Sequence, residues 1–148
     1  MSSRGSLKVI HISEDARGGG QFQYIVDIAQ DEATDYTVVC PQIDDVVKLK
    51  VHGLGIKVHT QDLQILNRKG IWSYVQRFNG EVRALVRTLK ELNPDVVVCH
   101  GAIQVKGVVA AHKAKIQSVW VMHDSYLGSV SRILFLSLIH ISEPTRPY

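Results

Sequence analysis

The chain has few of the features that mark a disulfide scaffold, a metal centre or a membrane protein. It contains two cysteines, Cys40 and Cys99, which are too few for a disulfide framework and lack the spacing of a metal site. We predict that both are small buried residues at the ends of strands. A membrane-spanning helix needs about 20 apolar residues, and every apolar run in this chain is far shorter. No segment is therefore predicted to cross a bilayer.

The chain also lacks a large excess of charge of one sign. Seventeen Lys and Arg residues against fourteen Asp and Glu residues leave a formal net charge of +3 at pH 7, and the basic residues are scattered. The chain therefore lacks the basic patch of a nucleic-acid-binding protein, and no nucleic-acid partner is predicted. The apolar run Leu7–Ile12 is too short for the core of a signal peptide, so we expect a cytoplasmic location.

What is present suffices for a sizeable core, because 45% of the 148 residues are apolar and 21% are charged. This composition excludes disordered and fibrous proteins. Short segments rich in β-branched residues alternate with helical spacing. We predict strands at 7–12, 36–40, 56–59, 95–99 and 119–122, and helices at about 20–31, 42–52, 71–92 and 103–114. The strands are continuously apolar, which is typical of a parallel sheet covered on both faces. The predicted fold is therefore α/β, a doubly wound, Rossmann-like sheet.

A doubly wound sheet of order 3-2-1-4-5 has a predictable ligand site. Strands 1 and 4 are then neighbours whose connections leave in opposite directions, and ligands bind in the crevice at their carboxyl ends. Three polar loops should converge there: Ser13–Gly20 after strand 1, His100–Gly101 after strand 4 and His123–Ser125 after strand 5.

A glycine triplet, Gly18, Gly19 and Gly20, stands where the first helix begins. Its bare backbone N–H groups and the positive end of the helix dipole could face a phosphate or a sugar hydroxyl, although a flexible turn is the alternative. An NAD site is disfavoured, because Gln23 stands at the third glycine position of the dinucleotide fingerprint. Arg17, ahead of the triplet, could meet an anionic ligand or be a solvated loop charge.

Histidines are the best candidates for chemistry in the crevice. His123, at the end of a buried strand, could bind a sugar hydroxyl or take a proton, or it could be purely structural. Asp124 is not automatically its partner, because consecutive strand side chains point to opposite faces. His100 has a similar placement. His11 and His59 are interpreted as structural histidines with satisfied hydrogen bonds, and no metal site is predicted.

Together these segments resemble the N-terminal half of a family 4 retaining glycosyltransferase, a two-domain enzyme of GT-B architecture. The resemblance is carried by LKVIHIS, the glycine triplet, LNPDVVVCHG, VVAAHKA and SVWVMHDS. It implies that this half mainly binds the acceptor, while a second Rossmann-like half binds the nucleotide-activated sugar and the reaction takes place between them. By the same resemblance the glycine triplet lies near the donor phosphates or the acceptor, and His123 matches the active-site histidine. No cofactor beyond the nucleotide-sugar substrate is implied.

The predicted site therefore has one catalytic residue, His123, and a wider set of substrate-binding residues. That set is Arg17, Gly18, Gly19, Gly20, His100 and Asp124. The donor half of the family, with its Glu-x7-Glu motif, is absent from this sequence, so the chain alone is expected to be inactive. Some family members dock on membranes through the N-terminal half. Arg68–Lys69 beside Ile71–Trp72 hints at such peripheral contact, with a solvated loop as the alternative.

The last residues depart from the α/β pattern. Leu136–Pro147, LSLIHISEPTRP, resembles one reading frame of a transposase adapter used in DNA sequencing. We therefore expect residues 1–135 to be an incomplete N-terminal glycosyltransferase domain and residues 136–148 to be an artefactual tail. Two other hypotheses for the function of the chain stay open. It could be a non-catalytic Rossmann-like module that binds a small ligand or a protein, or a sugar-nucleotide epimerase of the same architecture.

Overall fold

The computed structural model describes residues 6–13, 19–29, 31, 33–64, 70–101 and 104–123. Five strands alternate with four helices along them. The strands are β1 (Leu7–Ile12), β2 (Thr34–Cys40), β3 (Lys57–Thr60), β4 (Val96–His100) and β5 (Gln117–Val121). The helices are α1 (Gly20–Ile28), α2 (Asp45–Gly53), α3 (Ile71–Leu92) and α4 (Val105–Ala114). Arg17, Gly18, Arg68–Lys69, Asp124 and the adapter-like tail lie outside the described residues.

The strands form one parallel sheet in the order β3-β2-β1-β4-β5. The predicted doubly wound α/β fold and its strand order are confirmed. Because β1 lies in the middle, the connection that leaves β1 through α1 leads toward β2 on one side of the sheet, and the connection that leaves β4 through α4 leads toward β5 on the other. Their divergence at the carboxyl ends of β1 and β4 creates the crevice in which such sheets bind ligands.

Each face of the sheet carries its own core, since successive strand side chains point to opposite faces. Residues from α3 and α4 pack on the face that presents Ile10 and Ile12. Residues from α1 and α2 pack on the other face, which presents Val38 and Cys40. Cys40 and Cys99 are both buried and free, as predicted.

Helix α3 shows why the sequence folds as it does. Its apolar residues recur at helical spacing, and the buried ones, including Val82, Leu85 and Leu89, face the sheet. The helix ends at Leu92, where Asn93 takes a left-handed conformation with φ of 46°. Pro94 follows, and the residue before a proline is biased away from helical geometry. The predicted end of this helix is therefore confirmed.

Two strand boundaries differ from the predicted ones at the site itself. His100 is the last residue of β4 rather than part of a turn, because its backbone pairs with Val121 of β5. Strand β5 begins earlier than predicted, at Gln117, and ends at Val121. It is also an outer strand with three exposed residues, so the prediction that His123 follows a buried strand is wrong.

A buried ion pair fastens the segment after β3 to the two helices beside it. Lys106 of α4 is 1% exposed, and its Nζ atom lies 2.5 Å from Oε2 of Glu81 on α3. The same ammonium donates to the backbone oxygen of Gln64 at 2.8 Å, and the backbone N–H of Gln64 donates to Oε2 of Glu81 at 3.0 Å. The ammonium also lies 3.8 Å from the centre of the Tyr74 ring. This pairing compensates part of the cost of burying two charges.

Within the part of the chain that the structure describes, no helix is long and apolar enough to span a membrane.

Candidate functional site

Three histidine rings meet at the carboxyl edge of the sheet. His11 is the penultimate residue of β1, His100 is the last residue of β4, and His123 follows β5 by two residues. His11 is paired with Val98, two residues before His100, and His100 is paired with Val121, two residues before His123. Because side chains alternate with a period of two, this register brings all three rings to the face that carries α1. We call these three residues the histidine stack.

Hydrogen bonds join the rings of the histidine stack in series. Nδ1 of His11 lies 2.8 Å from Nε2 of His100, and Nδ1 of His100 lies 3.0 Å from Nε2 of His123. Neighbouring rings are also stacked, with centroids 5.0 Å apart for the first pair and 5.3 Å apart for the second. The stack therefore leads from the buried centre of the sheet toward its carboxyl edge.

Burial keeps the inner two rings neutral near pH 7. His11 and His100 are each 1% exposed. Burial lowers the pKa of His11 from 6.5 to about 4. Burial, with the charges of His11 and His123 as smaller causes, lowers the pKa of His100 from 6.5 to about 3. His123 is only half-buried, so the stack has one end near solvent.

A tyrosine from the first helix covers the outer rings. The Tyr24 ring stands edge-on to His123, with centroids 5.0 Å apart and planes at 73°, and edge-on to His100 at 6.0 Å and 67°. Its position in the sequence lies off the core stripe of α1, which is formed by Phe22, Ile25 and Val26. The sequence analysis did not predict a role for Tyr24. The signal that could have found it is an aromatic residue outside the core stripe of a helix that begins at the switch point.

The start of α1 adjoins the stack. Gly19 is the N-cap and supplies no side-chain cap, and the first turn holds no acidic residue. No acidic side chain of the first turn therefore neutralises the positive end of this helix dipole. Ser13 Oγ donates to Oε1 of Gln21 at 3.1 Å, which ties the end of β1 to the helix. Gly101 has a φ of +97°, and a Cβ there would lie 3.0 Å from Nε2 of Gln21.

The structure brings several of the predicted site residues together. His100 and His123 are hydrogen-bonded to each other. Gly19 and Gly20 stand at the start of the helix whose Tyr24 covers both rings. Arg17, Gly18 and Asp124, from the predicted substrate-binding set, lie outside the described residues. The roles assigned to all of these residues stay predictions.

His11 is the residue whose interpretation changes most. It was expected to be a structural histidine with satisfied hydrogen bonds. Its Nδ1 atom is bonded to His100, but its Nε2 atom is buried and has no hydrogen-bond partner among the described residues. It is thus the inner end of the stack. The signal that could have found it is the shared face of His11 and His100, which depends on the register of β1 against β4.

A metal would need several lone pairs aimed at one point. In the described ranges, no group of three or more His, Cys, Asp or Glu residues could hold a metal ion. The rings of the histidine stack instead aim their nitrogens at one another. What the arrangement offers a ligand is the remaining nitrogen of His123 and, at the same edge of the sheet, the N–H groups at the start of α1. Both suit oxygen-rich ligands such as sugars and phosphates.

Comparison with known proteins gives similarity of fold without similarity of sequence. No protein-family model matches the chain, and no curated protein matches it in sequence. HepE from Anabaena, solved with UDP and glucose, superposes with a TM-score of 0.66 at 17% identity, over 89% of this chain and 35% of that chain. MurG from Acinetobacter baumannii gives 0.64 at 15% identity, over 89% and 39%. A UDP-N-acetylglucosamine 2-epimerase gives 0.56 at 16% identity, over 90% and 38%.

These neighbours have GT-B, glycosyltransferase-like folds, and the present chain has the fold of one Rossmann-like part of them. At such low identity the similarity establishes the fold alone. The chain spans between 35% and 39% of the length of these three proteins.

Proposed function

We propose that the chain is the N-terminal, acceptor-binding half of a family 4 retaining glycosyltransferase, which transfers a sugar from a nucleotide-sugar donor to an acceptor. The observation that carries this proposal is the histidine stack, which stands at the switch point of the sheet and ends at His123. The fold agrees with it, because HepE, with UDP and glucose bound, contains the same kind of sheet.

The proposed roles follow from the chemistry of glycosyl transfer. The reaction needs the leaving phosphate stabilised and the acceptor held beside the anomeric carbon. The N–H groups of Gly18, Gly19 and Gly20 would contact phosphate or acceptor oxygens, and His123 would contact the transferred sugar. The remaining substrate contacts are assigned to Arg17, His100 and Asp124. No metal enters this scheme.

We further propose that the natural protein is longer than this chain. Residues 1–135 would be its incomplete first half, the donor half would follow, and residues 136–148 would be adapter-derived. The proposed location is cytoplasmic, with peripheral membrane contact through Arg68–Lys69 and the adjoining start of α3. Ile71 and Trp72 support that contact, since their side chains are 51% and 77% exposed.

The first test is to read the gene beyond the codon of Phe135, after amplification from source DNA without transposase tagging. A frame that continues into a second α/β half with two glutamates eight positions apart is the expected result. A native frame that ends in the present tail would overturn the proposal and favour a stand-alone module that binds a small ligand or a protein.

The second test uses that complete protein. His123→Ala should lower kcat for sugar transfer on the order of a hundredfold, as the loss of a donor to developing charge does, while leaving the fold intact. The matched control is His112→Ala, because His112 is an exposed histidine on α4. Equal turnover in the two variants would remove the proposed role of His123.

A sugar-nucleotide epimerase is the second candidate, since a UDP-N-acetylglucosamine 2-epimerase shares the fold. Product analysis separates the two functions. Incubation with a UDP-sugar and no acceptor yields an isomeric UDP-sugar from an epimerase, whereas a glycosyltransferase needs an acceptor to form its glycoside.

A further inference from the structure

We infer that His11 and His100 are positioning residues that hold His123 in its neutral Nδ1–H tautomer, so that His123 presents a hydrogen-bond donor to its ligand. The inference is drawn from the hydrogen bonds of the histidine stack. Only the identity of the ligand, an oxygen of a sugar substrate, rests on the proposed function.

The stack permits two hydrogen-bond directions. A neutral imidazole has one N–H donor and one lone-pair acceptor. Either each Nδ1–H donates outward, from His11 to His100 and from His100 to His123, or each Nε2–H donates inward along the same contacts. Because each ring carries one proton, the direction at one contact fixes the direction at the next. The tautomer of His123 is therefore set at the other end of the stack.

That other end is Nε2 of His11, which is buried and has no partner within the described ranges. The inward direction would place a proton there and leave a buried N–H group without an acceptor, which native proteins rarely tolerate. The ring of Tyr36 does not serve as a π acceptor for it, since its plane is inclined by only 36° to that of His11, whereas an N–H aimed at a ring face needs nearly perpendicular planes. The outward direction leaves only a lone pair at this atom.

The outward direction determines what His123 can do. Its Nε2 lone pair accepts from Nδ1–H of His100, and its own Nδ1–H is left for a ligand oxygen. A proton could be added to Nε2 only by breaking the bond to His100 or reversing the whole stack. His123 is thus a fixed donor to an oxygen acceptor rather than a general base.

The test is the protonation of each ring nitrogen, measured by long-range ¹H–¹⁵N correlation spectra of the full chain with ¹⁵N-labelled histidine at pH 7. The His123 signals are assigned by their loss in His123→Asn. We expect a protonated Nδ1 and an unprotonated Nε2, by at least about tenfold. This is the less common tautomer of a neutral histidine side chain in water, so the result would not arise by default. A protonated Nε2 in His123 would overturn the inference.

Two variants test the positioning residues. His11→Asn keeps a donor near the position of Nδ1, so His123 should keep its Nδ1–H tautomer. His100→Phe keeps a ring but removes the N–H group that donates to Nε2 of His123, so the Nδ1–H fraction of His123 should fall. An unchanged fraction in a folded variant would show that His100 does not position it. If the phenylalanine variant does not fold, the wild-type and asparagine spectra still decide. No substrate is used, so failure of glycosyl transfer leaves this test unaffected.

Discussion

Lowering the pH from 7 to 5 should destabilise the protein through its two buried histidines. His11 and His100 have pKa values of about 4 and about 3 in the folded protein, against 6.5 when solvated. Both rings stay neutral in the folded state at pH 5, while in the unfolded chain they take up protons once the pH falls below about 6.5. The unfolded state then binds more protons, so the free energy of unfolding falls with pH.

The magnitude follows from the distance between pH 5 and the unfolded pKa. Each pH unit over which only the unfolded state is protonated costs about 1.36 kcal/mol per group. About 1.5 units separate 6.5 from 5, which gives about 2 kcal/mol for each ring and about 4 kcal/mol for both. This is a large part of the about 5–15 kcal/mol that stabilises a typical domain. The contribution is complete above pH 6.5, and its loss continues until the pH reaches each folded pKa.

The assay is urea unfolding at pH 7, 6 and 5, followed by circular dichroism. The double variant His11→Phe/His100→Phe lacks both buried imidazoles, so its stability should fall by about 4 kcal/mol less than that of the wild type over this range. His112→Gln is the matched control, because it removes an exposed histidine and retains both buried rings. Parallel pH profiles for the wild type and the double variant would refute the reasoning.

Three further predictions concern stability, each measured by urea unfolding at pH 7. Lys106→Met should lower the free energy of unfolding by about 3 kcal/mol, because it leaves the Glu81 carboxylate buried without its ammonium partner. Adding Glu81→Leu should recover most of this free energy, and no recovery would mean that loss of the pair is not the cause. Gly107→Ala should cost about 1–3 kcal/mol, since its Cβ would lie 2.9 Å from Sγ of Cys99. Gly80→Ala, in open space on α3, should instead stabilise by about 0.5–1 kcal/mol, and equal effects at the two glycines would contradict the packing argument. Lys115→Gly should stabilise by up to about 1 kcal/mol, because Lys115 ends α4 with a φ of 60° that glycine adopts without strain; a loss of stability would show that its side chain matters more.

Local pattern was sufficient to predict the architecture. The apolar spacing of α3 and the β-branched runs of the strands are each visible within a single segment, and their alternation predicts a doubly wound sheet. The switch-point rule then predicts that His100 and His123 lie at one edge of the sheet. These features could be predicted because each depends on one element, or on a rule that holds for the whole fold class.

What could not be predicted depends on how separate segments are aligned. His11 becomes the inner end of the histidine stack only through the register of β1 against β4. A shift of one residue would turn it to the opposite face. Lys106 and Glu81 are 25 positions apart on different helices, and each alone resembles an ordinary surface charge. Their pairing depends on how α3 packs against α4, which no local spacing shows.

The buried pair of Lys106 and Glu81 also has an evolutionary consequence. A lineage that lost Glu81 would leave the buried ammonium of Lys106 without its carboxylate, and one that lost Lys106 would leave Glu81 with Arg77 as its remaining charged partner. A lineage that replaced both by apolar residues would keep a well-packed helix contact. Intermediates between these two states are the least stable forms. Homologues should therefore fall into two groups, with Lys and Glu retained together or exchanged together. Positions 81 and 106 should covary, and the backbone of Gln64, which both side chains hold, should follow them in conformation.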